Sequence, residues 1–309
     1  MISPDISKED YSVYRMEESG LPSNTYLLSS DASRSILYNP HVAGVELQTR
    51  MEKVSPLFID AATEKALKGT RIDNMVEFVL LAGGLYYFMA RGFRERHGLA
   101  LPQCFLGIKR QRVEGTEGKF KAVSTYENFE SLPRNASVII GDTIATGATM
   151  VRALGELERA SSEIRGKIDK LVICSLACSS DGAKLLKSLE DRMKRANPDF
   201  RMYLFAAEQL FHLMPDGTDM RFLGEKSMVP EQSREHTLER YGPALGKKMK
   251  CAVFDWGTRC KNPKKHYNEF LEFAEEILDG PELDEKGKSE IRRMQKEINE
   301  KLQSLEKTL

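Results

Sequence analysis

Residues 138–149 read Val-Ile-Ile-Gly-Asp-Thr-Ile-Ala-Thr-Gly-Ala-Thr. An apolar, β-branched run stops at Gly141-Asp142, a loop of small residues follows from Ala145 to Thr149, and a helical pattern then sets Met150, Leu154 and Leu157 on one face. The run suits a buried parallel strand. Small residues let backbone N–H groups close around an anion, and the N-terminus of the next helix adds its partial positive charge. Asp142, just past the strand, can accept hydrogen bonds from sugar hydroxyls, while Thr143, Thr146 and Thr149 can donate to phosphate oxygens.

Outward from this stretch the chain alternates between two periods. Strand patterns run from Met75 to Leu81, Gln103 to Ile108, Ser137 to Ile140, Lys170 to Ala177 and Arg201 to Ala207, with helical patterns at about 86–96, 148–165 and 181–196. Such alternation predicts an α/β fold with a parallel, doubly wound sheet, which binds its ligands beyond the carboxyl ends of the strands. This domain is expected over 71–263, with a polar, turn-rich insertion at about 209–250. Residues 1–70 read as a helical N-terminal cap carrying the stripe Leu47, Met51 and Val54, and residues 264–309 as C-terminal helices. In the tail, Ile291, Met294, Ile298, Leu302, Leu305 and Leu309 recur at steps of three and four, a pattern for a helix docked on its own domain or for a short coiled coil. The docked helix is the simpler expectation, because the repeat is short.

The composition narrows the partners. The 309 residues hold 46 Lys+Arg and 46 Asp+Glu, and this zero balance argues against bulk binding to nucleic acid or a membrane surface. The longest apolar stretch, Phe78 to Ala90, is too short to span a bilayer and contains Gly83-Gly84. Residues 1–10 show no basic segment leading into an apolar one, so the expectation is a soluble, cytoplasmic protein. The five cysteines form no Cys-x-x-Cys pair and the five histidines no His-x-x-x-His, so buried reduced thiols and no zinc site are expected.

The 138–149 segment resembles the phosphoribosyl-pyrophosphate (PRPP) motif of type I phosphoribosyltransferases: four apolar residues, two acidic, two variable, then Ala-Thr-Gly-Gly-Thr or a close variant. The resemblance implies that Asp142, Thr143, Ala145, Thr146, Gly147, Ala148 and Thr149 bind PRPP, with Asp142 also at the catalytic centre. One position departs, since Gly141 stands where the first acid of the pair belongs.

Three further segments resemble the uracil branch of this family, in order, across about residues 75–260. The turn Ala82-Gly83-Gly84 matches a pyrophosphate-binding loop that reads Arg-Ala-Gly-Leu in uracil phosphoribosyltransferases, although Leu81 or Ala82 replaces the arginine. The polar run from Gly107 through Lys119 to Val123 looks like the hairpin that closes over the site; Arg110 matches its arginine, and Lys109 and Arg112 add charge for pyrophosphate. Phe254-Asp255-Trp256-Gly257-Thr258-Arg259 is similar to Gly-Asp-Phe-Gly-Asp-Arg, which implies a base site at Val253, Phe254, Asp255, Trp256 and Gly257. Asp255 can then supply the second carboxylate, with Asp142 and Asp255 as the protein's donors to Mg²⁺ and Arg110 completing the catalytic set. The family segment whose backbone recognises uracil is replaced here by Lys250 to Phe254. The resemblance therefore implies ribose 5-phosphate transfer from PRPP to a nitrogenous base, a pyrimidine such as uracil or a related acceptor, in a homodimer. The alternative is a PRPP- or nucleotide-binding regulatory protein that keeps the fold without catalysis, for which Gly141 and the missing loop arginine speak.

Overall fold

The computed structural model describes residues 4–112, 120–251 and 256–308. In chain order the elements are β1 (Pro4–Ser7), β2 (Ser12–Met16), β3 (Asn24–Ser29), α1 (Asp31–Leu37), α2 (Gly44–Ala62), β4 (Met75–Leu81), α3 (Met89–His97), β5 (Gln103–Arg112), β6 (Phe120–Asn128) and β7 (Asn135–Gly141). There follow α4 (Ala148–Glu163), β8 (Lys167–Ser175), β9 (Cys178–Ser179), α5 (Ser180–Ala196), β10 (Arg201–Ala207), β11 (Leu210–Leu213), β12 (Met220–Arg221), α6 (Glu231–Lys248), α7 (Trp256–Lys261), α8 (Pro263–Asp279) and α9 (Glu285–Thr308).

One sheet of nine strands, ordered β1-β2-β3-β10-β8-β7-β4-β5-β6, organises the molecule. Its middle, β3 through β5 in that order, is parallel; β1 and β2 at one edge and β6 at the other are antiparallel. Alternate residues of the central strands point into two separate cores, as the strand period of two requires. Ile139, Val172 and Phe205 join the core beneath α2, α3 and α6–α9, whereas Ile140, Ile173 and Leu204 join the one beneath α4 and α5. The apolar runs at 138–140 and 171–173, β-branched but for Leu171, are fully buried, which is why they read as strands.

The expected helical cap over 1–70 needs correction. The stripe Leu47, Met51 and Val54 does lie buried in a helix, α2, but residues 4–29 form three strands, and β3 extends the parallel sheet beside β10. A fully buried carboxylate secures that junction. Glu208, at the end of β10, accepts hydrogen bonds from Ser30 N (2.9 Å), Ser29 Oγ (3.0 Å), Ser33 Oγ (2.7 Å), Ser233 Oγ (3.0 Å) and Arg34 Nε (3.2 Å). Four hydroxyl or amide donors and one guanidinium compensate its loss of water. The expected insertion at 209–250 is not unstructured: it holds the β11–β12 hairpin and α6.

The tail is docked, not projecting. Ile291, Met294 and Ile298 of α9 are fully buried, Lys301 pairs with Glu46 at 2.7 Å, and His41 hydrogen-bonds Glu297 at 2.8 Å. All five cysteines are buried. No helix among the described residues is long and apolar enough to cross a membrane.

Candidate functional site

The loop after β7 is built on the strand beside it. Asp142 N–H donates to Cys174 O (3.1 Å) and Ile144 N–H to Ala177 O (2.9 Å), while Ser179 N–H returns a bond to Ile144 O (2.8 Å). These bonds carry the β7–β8 pairing past the strand ends. Ser179 then caps α5: its hydroxyl donates to Ala145 O (2.5 Å) and accepts from Gly182 N–H (2.8 Å). Gly182 must be glycine for this approach, because a Cβ there would sit 2.6 Å from Ala145 O. Gly147 takes φ +76° and turns the chain into α4. Among the described residues, 142–150 line the resulting cleft of about 60 Å³. At its base lie the first N–H groups of α4, which have no acceptor within the helix; Ala148 N–H reaches Thr146 Oγ1 only at 3.4 Å.

Asp142 sits at the mouth of this cleft. It keeps some exposure, yet burial of its carboxyl pushes the pKa up to about 7, with the Thr143 N–H pulling the other way. The turn after β4 comes over it as a single 3-10 segment, Gly83–Tyr87, and the Leu81–Ala82 peptide before it is cis. A Cβ placed on Gly83 would lie 3.5 Å from Trp256 Cδ1 and 3.6 Å from Asp142 Oδ1, so turn, acid and indole converge. Trp256 is buried, its ring 5.5 Å from that of Tyr87, and its indole N–H has no hydrogen-bond partner among the described residues.

Tyr87 also explains the absent acid. A Cβ at Gly141 would meet Tyr87 Cβ at 2.5 Å, Tyr87 Cγ at 2.8 Å and Met89 Cγ at 2.9 Å. No side chain fits there while the ring is in place. The phenol lies 2.8 Å from Thr143 Oγ1 and accepts the Leu176 N–H at 3.1 Å. Sequence reasoning missed this residue, since one tyrosine in Tyr86-Tyr87 gives no hint which of the two turns inward. It also missed the β11–β12 tip, where a Cβ on Gly217 would lie 3.2 Å from Thr146 Cγ2.

Other predicted residues fall further from this centre or outside view. Lys109 is exposed on β5, two residues past Gly107, which pairs with the last residue of β4. Arg110 and Arg112 lie in β5, paired with Ala122 and Phe120 of β6, so the expected hairpin strands are present; their side chains are outside the described part. Val253, Phe254 and Asp255 lie outside the described residues, and Gly257 is in the first turn of α7. Arg259, aligned with a family arginine, turns away from the cleft. Fully buried, it donates to Val42 O (2.7 Å), Asn39 O (2.9 Å) and Ile36 O (3.2 Å), and burial lowers its pKa to about 10.

The donor set bears on Mg²⁺. Among the described residues no three His, Cys, Asp or Glu side chains gather, and Asp142 is the carboxylate at the cleft. One carboxylate fits a small hard cation that arrives already bound to phosphate oxygens and water, not one caged by protein. A larger cavity, about 620 Å³, lies elsewhere, between the β11–β12 hairpin, α6 and α8. It is lined by four acids and four bases, and Arg221 and Lys248 are already paired with Asp219 and Glu282, so it offers an anion no excess charge.

No protein-family model and no curated protein matches the chain. Solved structures similar to it include a purine phosphoribosyltransferase from Pyrococcus horikoshii, at 15% identity over 52% of this chain and 82% of that one, with a TM-score of 0.29. The L. donovani hypoxanthine-guanine phosphoribosyltransferase is similar at 16% identity over 47% and 74%, TM-score 0.32. A Trypanosoma cruzi hypoxanthine phosphoribosyltransferase shows 15% identity over 62% and 90%, TM-score 0.31.

Proposed function

We propose that this protein transfers ribose 5-phosphate from PRPP to a ring nitrogen of a flat base and releases pyrophosphate. The observation that carries the reading is the convergence of the 142–150 cleft, the Gly83 turn and Trp256 on one carboxylate, Asp142. In the reaction the C1–oxygen bond to pyrophosphate breaks and a C1–nitrogen bond forms, the acceptor nitrogen giving up its proton. The ribose carbon passes through a cationic, oxocarbenium-like state, so the protein's task is positioning and charge placement, with no covalent intermediate needed. The N–H groups and hydroxyls of 145–149 surround the 5-phosphate, and Asp142 takes hydrogen bonds from the ribose hydroxyls. The 82–84 turn, with Lys109, Arg110 and Arg112, holds pyrophosphate. Val253, Phe254, Asp255, Trp256 and Gly257 border the base. Asp142 and Asp255 would be the protein's donors to Mg²⁺, which when bound would supply positive charge to offset that of pyrophosphate.

The acceptor in this reading is a pyrimidine such as uracil or a related base, and the active form is a cytoplasmic homodimer. The test is calorimetric titration with PRPP and Mg²⁺, then pyrophosphate release with uracil, and with hypoxanthine as a purine control. Binding plus release with one base supports the reading; neither binding nor release defeats it. One observation favours a second reading, a PRPP-binding regulator: Tyr87 fills the space that the first acid of the pair needs. A PRPP-induced melting shift with no pyrophosphate release on any base would select the regulator.

A further inference from the structure

Tyr87 occupies a position that neither packing nor the ligand loop alone requires. It ends the turn after β4, its phenol touches Thr143 of the cleft at 2.8 Å, and the same oxygen accepts the Leu176 N–H, just past β8, at 3.1 Å. From the other side Ser55 Oγ of α2 donates to the Tyr87 carbonyl at 2.5 Å, which fixes the backbone that carries the ring. One side chain thereby ties together the carboxyl ends of three neighbouring strands, β4, β7 and β8. Its ring lies against the position where Gly141 has no side chain, and its other neighbour is the Trp256 ring. Tyr87 is fully buried, yet its hydroxyl is spent on a half-buried threonine that lines the cleft, where a phenylalanine would have filled the same core volume.

We propose that Tyr87 is the positioning residue of the PRPP site: its phenol holds the Thr143 hydroxyl in the rotamer that meets the ligand. The proposal rests on the PRPP reading above. A threonine hydroxyl held by a second hydroxyl is pre-organised, so less rotamer freedom is lost when the ligand binds. Tyr87 acts through Thr143 and touches no reacting atom, so its loss appears in binding and not in the chemical step.

The test uses Tyr87→Phe, Thr143→Val and the double variant in the full chain, with melting temperature recorded for each. PRPP affinity is measured by calorimetry, and KM and kcat with whichever base is turned over. Each single variant is expected to weaken PRPP binding about tenfold, the scale of one lost hydrogen bond. KM for PRPP rises in parallel while kcat stays within about twofold. The double variant is expected to bind no more weakly than Thr143→Val alone, because both changes break one unit. Wild-type affinity in Tyr87→Phe, or in Thr143→Val with its aromatic core untouched, overturns the proposal. Additive losses in the double variant overturn the route through Thr143. Should the unaltered protein fail to bind PRPP, the functional reading falls and this proposal with it; a protein that binds PRPP with indifferent variants loses only the proposal.

Discussion

Asp142 is asked to be charged where charge is costly. Burial lifts its pKa from 3.8 to about 7, so the folded state holds a proton that the unfolded chain releases between those values. By linkage its contribution to stability is greatest at low pH and is lost as pH rises toward 7. Asp142→Asn removes that loss. We expect the variant to gain stability relative to the unaltered protein from pH 5 to pH 8, by roughly 2 kcal/mol, less than full burial would give because the side chain keeps some exposure. The same change should weaken PRPP binding about a hundredfold, by removing charge-assisted hydrogen bonds. Paired urea melts at two pH values and one titration check both; a variant less stable at pH 8, or one that binds normally, contradicts them. Gly141 makes the complementary prediction. Its missing Cβ would strike Tyr87 Cβ, an atom that cannot swing away, so Gly141→Ala should cost about 2 kcal/mol in chemical denaturation. A neutral result would mean that the ring shifts freely.

At the scale of elements the phosphate-sized cleft depends on a backbone that few residues can follow. Gly147 is left-handed and stands 3.0 Å, measured from an added Cβ, from Leu185 Cδ2 of α5. Gly147→Ala should therefore lower stability by about 1–2 kcal/mol and move the first N–H groups of α4 out of line, reducing PRPP affinity more than an exposed alanine substitution in the same helix. This loop, and the strands that begin at 75, 103, 135, 167 and 201, were legible in the sequence because a parallel strand buried on both faces reads as a continuous apolar run. The first three strands were not. β1 to β3 are short and separated by turns such as Pro22-Ser23, and β3 joins the parallel sheet only through β10, which is remote in sequence. The site was partly legible too. Asp142, Gly83 and Trp256, from three separate motifs, lie close together, but Arg259 binds three carbonyls of the 36–42 segment, and pattern alone cannot tell a guanidinium aimed at a ligand from one aimed at backbone.

The molecule as a whole carries an acid sensitivity of its own. Burial lowers the pKa of His41 to about 4 and that of His266 to about 3, both from 6.5, so both rings are neutral when folded and both gain protons on unfolding in mild acid. Their contribution is present above pH 6.5 and lost below it, and together they should reduce stability by roughly 3 kcal/mol between pH 7 and pH 5. His41→Gln should flatten that slope in melts across the range. The rings lie between the 40–42 segment and α8 and α9, where His41 meets Glu297 and His266 meets Pro40 O at 2.7 Å, so the same region responds to shortening of the chain. Ending the protein near Gly280 removes Ile291, Met294 and Ile298 and uncovers the core they pack on, which should cost roughly 5 kcal/mol; urea melts of both lengths measure the loss, and light scattering of both tests the proposed dimer. The placement of β3 bears on synthesis as well. Residues 24–29 leave the ribosome long before their parallel partner at 203–207. For most of translation the segment Asn-Thr-Tyr-Leu-Leu-Ser has only β2 beside it and its other edge is open, an adhesive ribbon for any nascent chain nearby, so this is the stretch on which a holding chaperone should be found in arrested chains that end before residue 203.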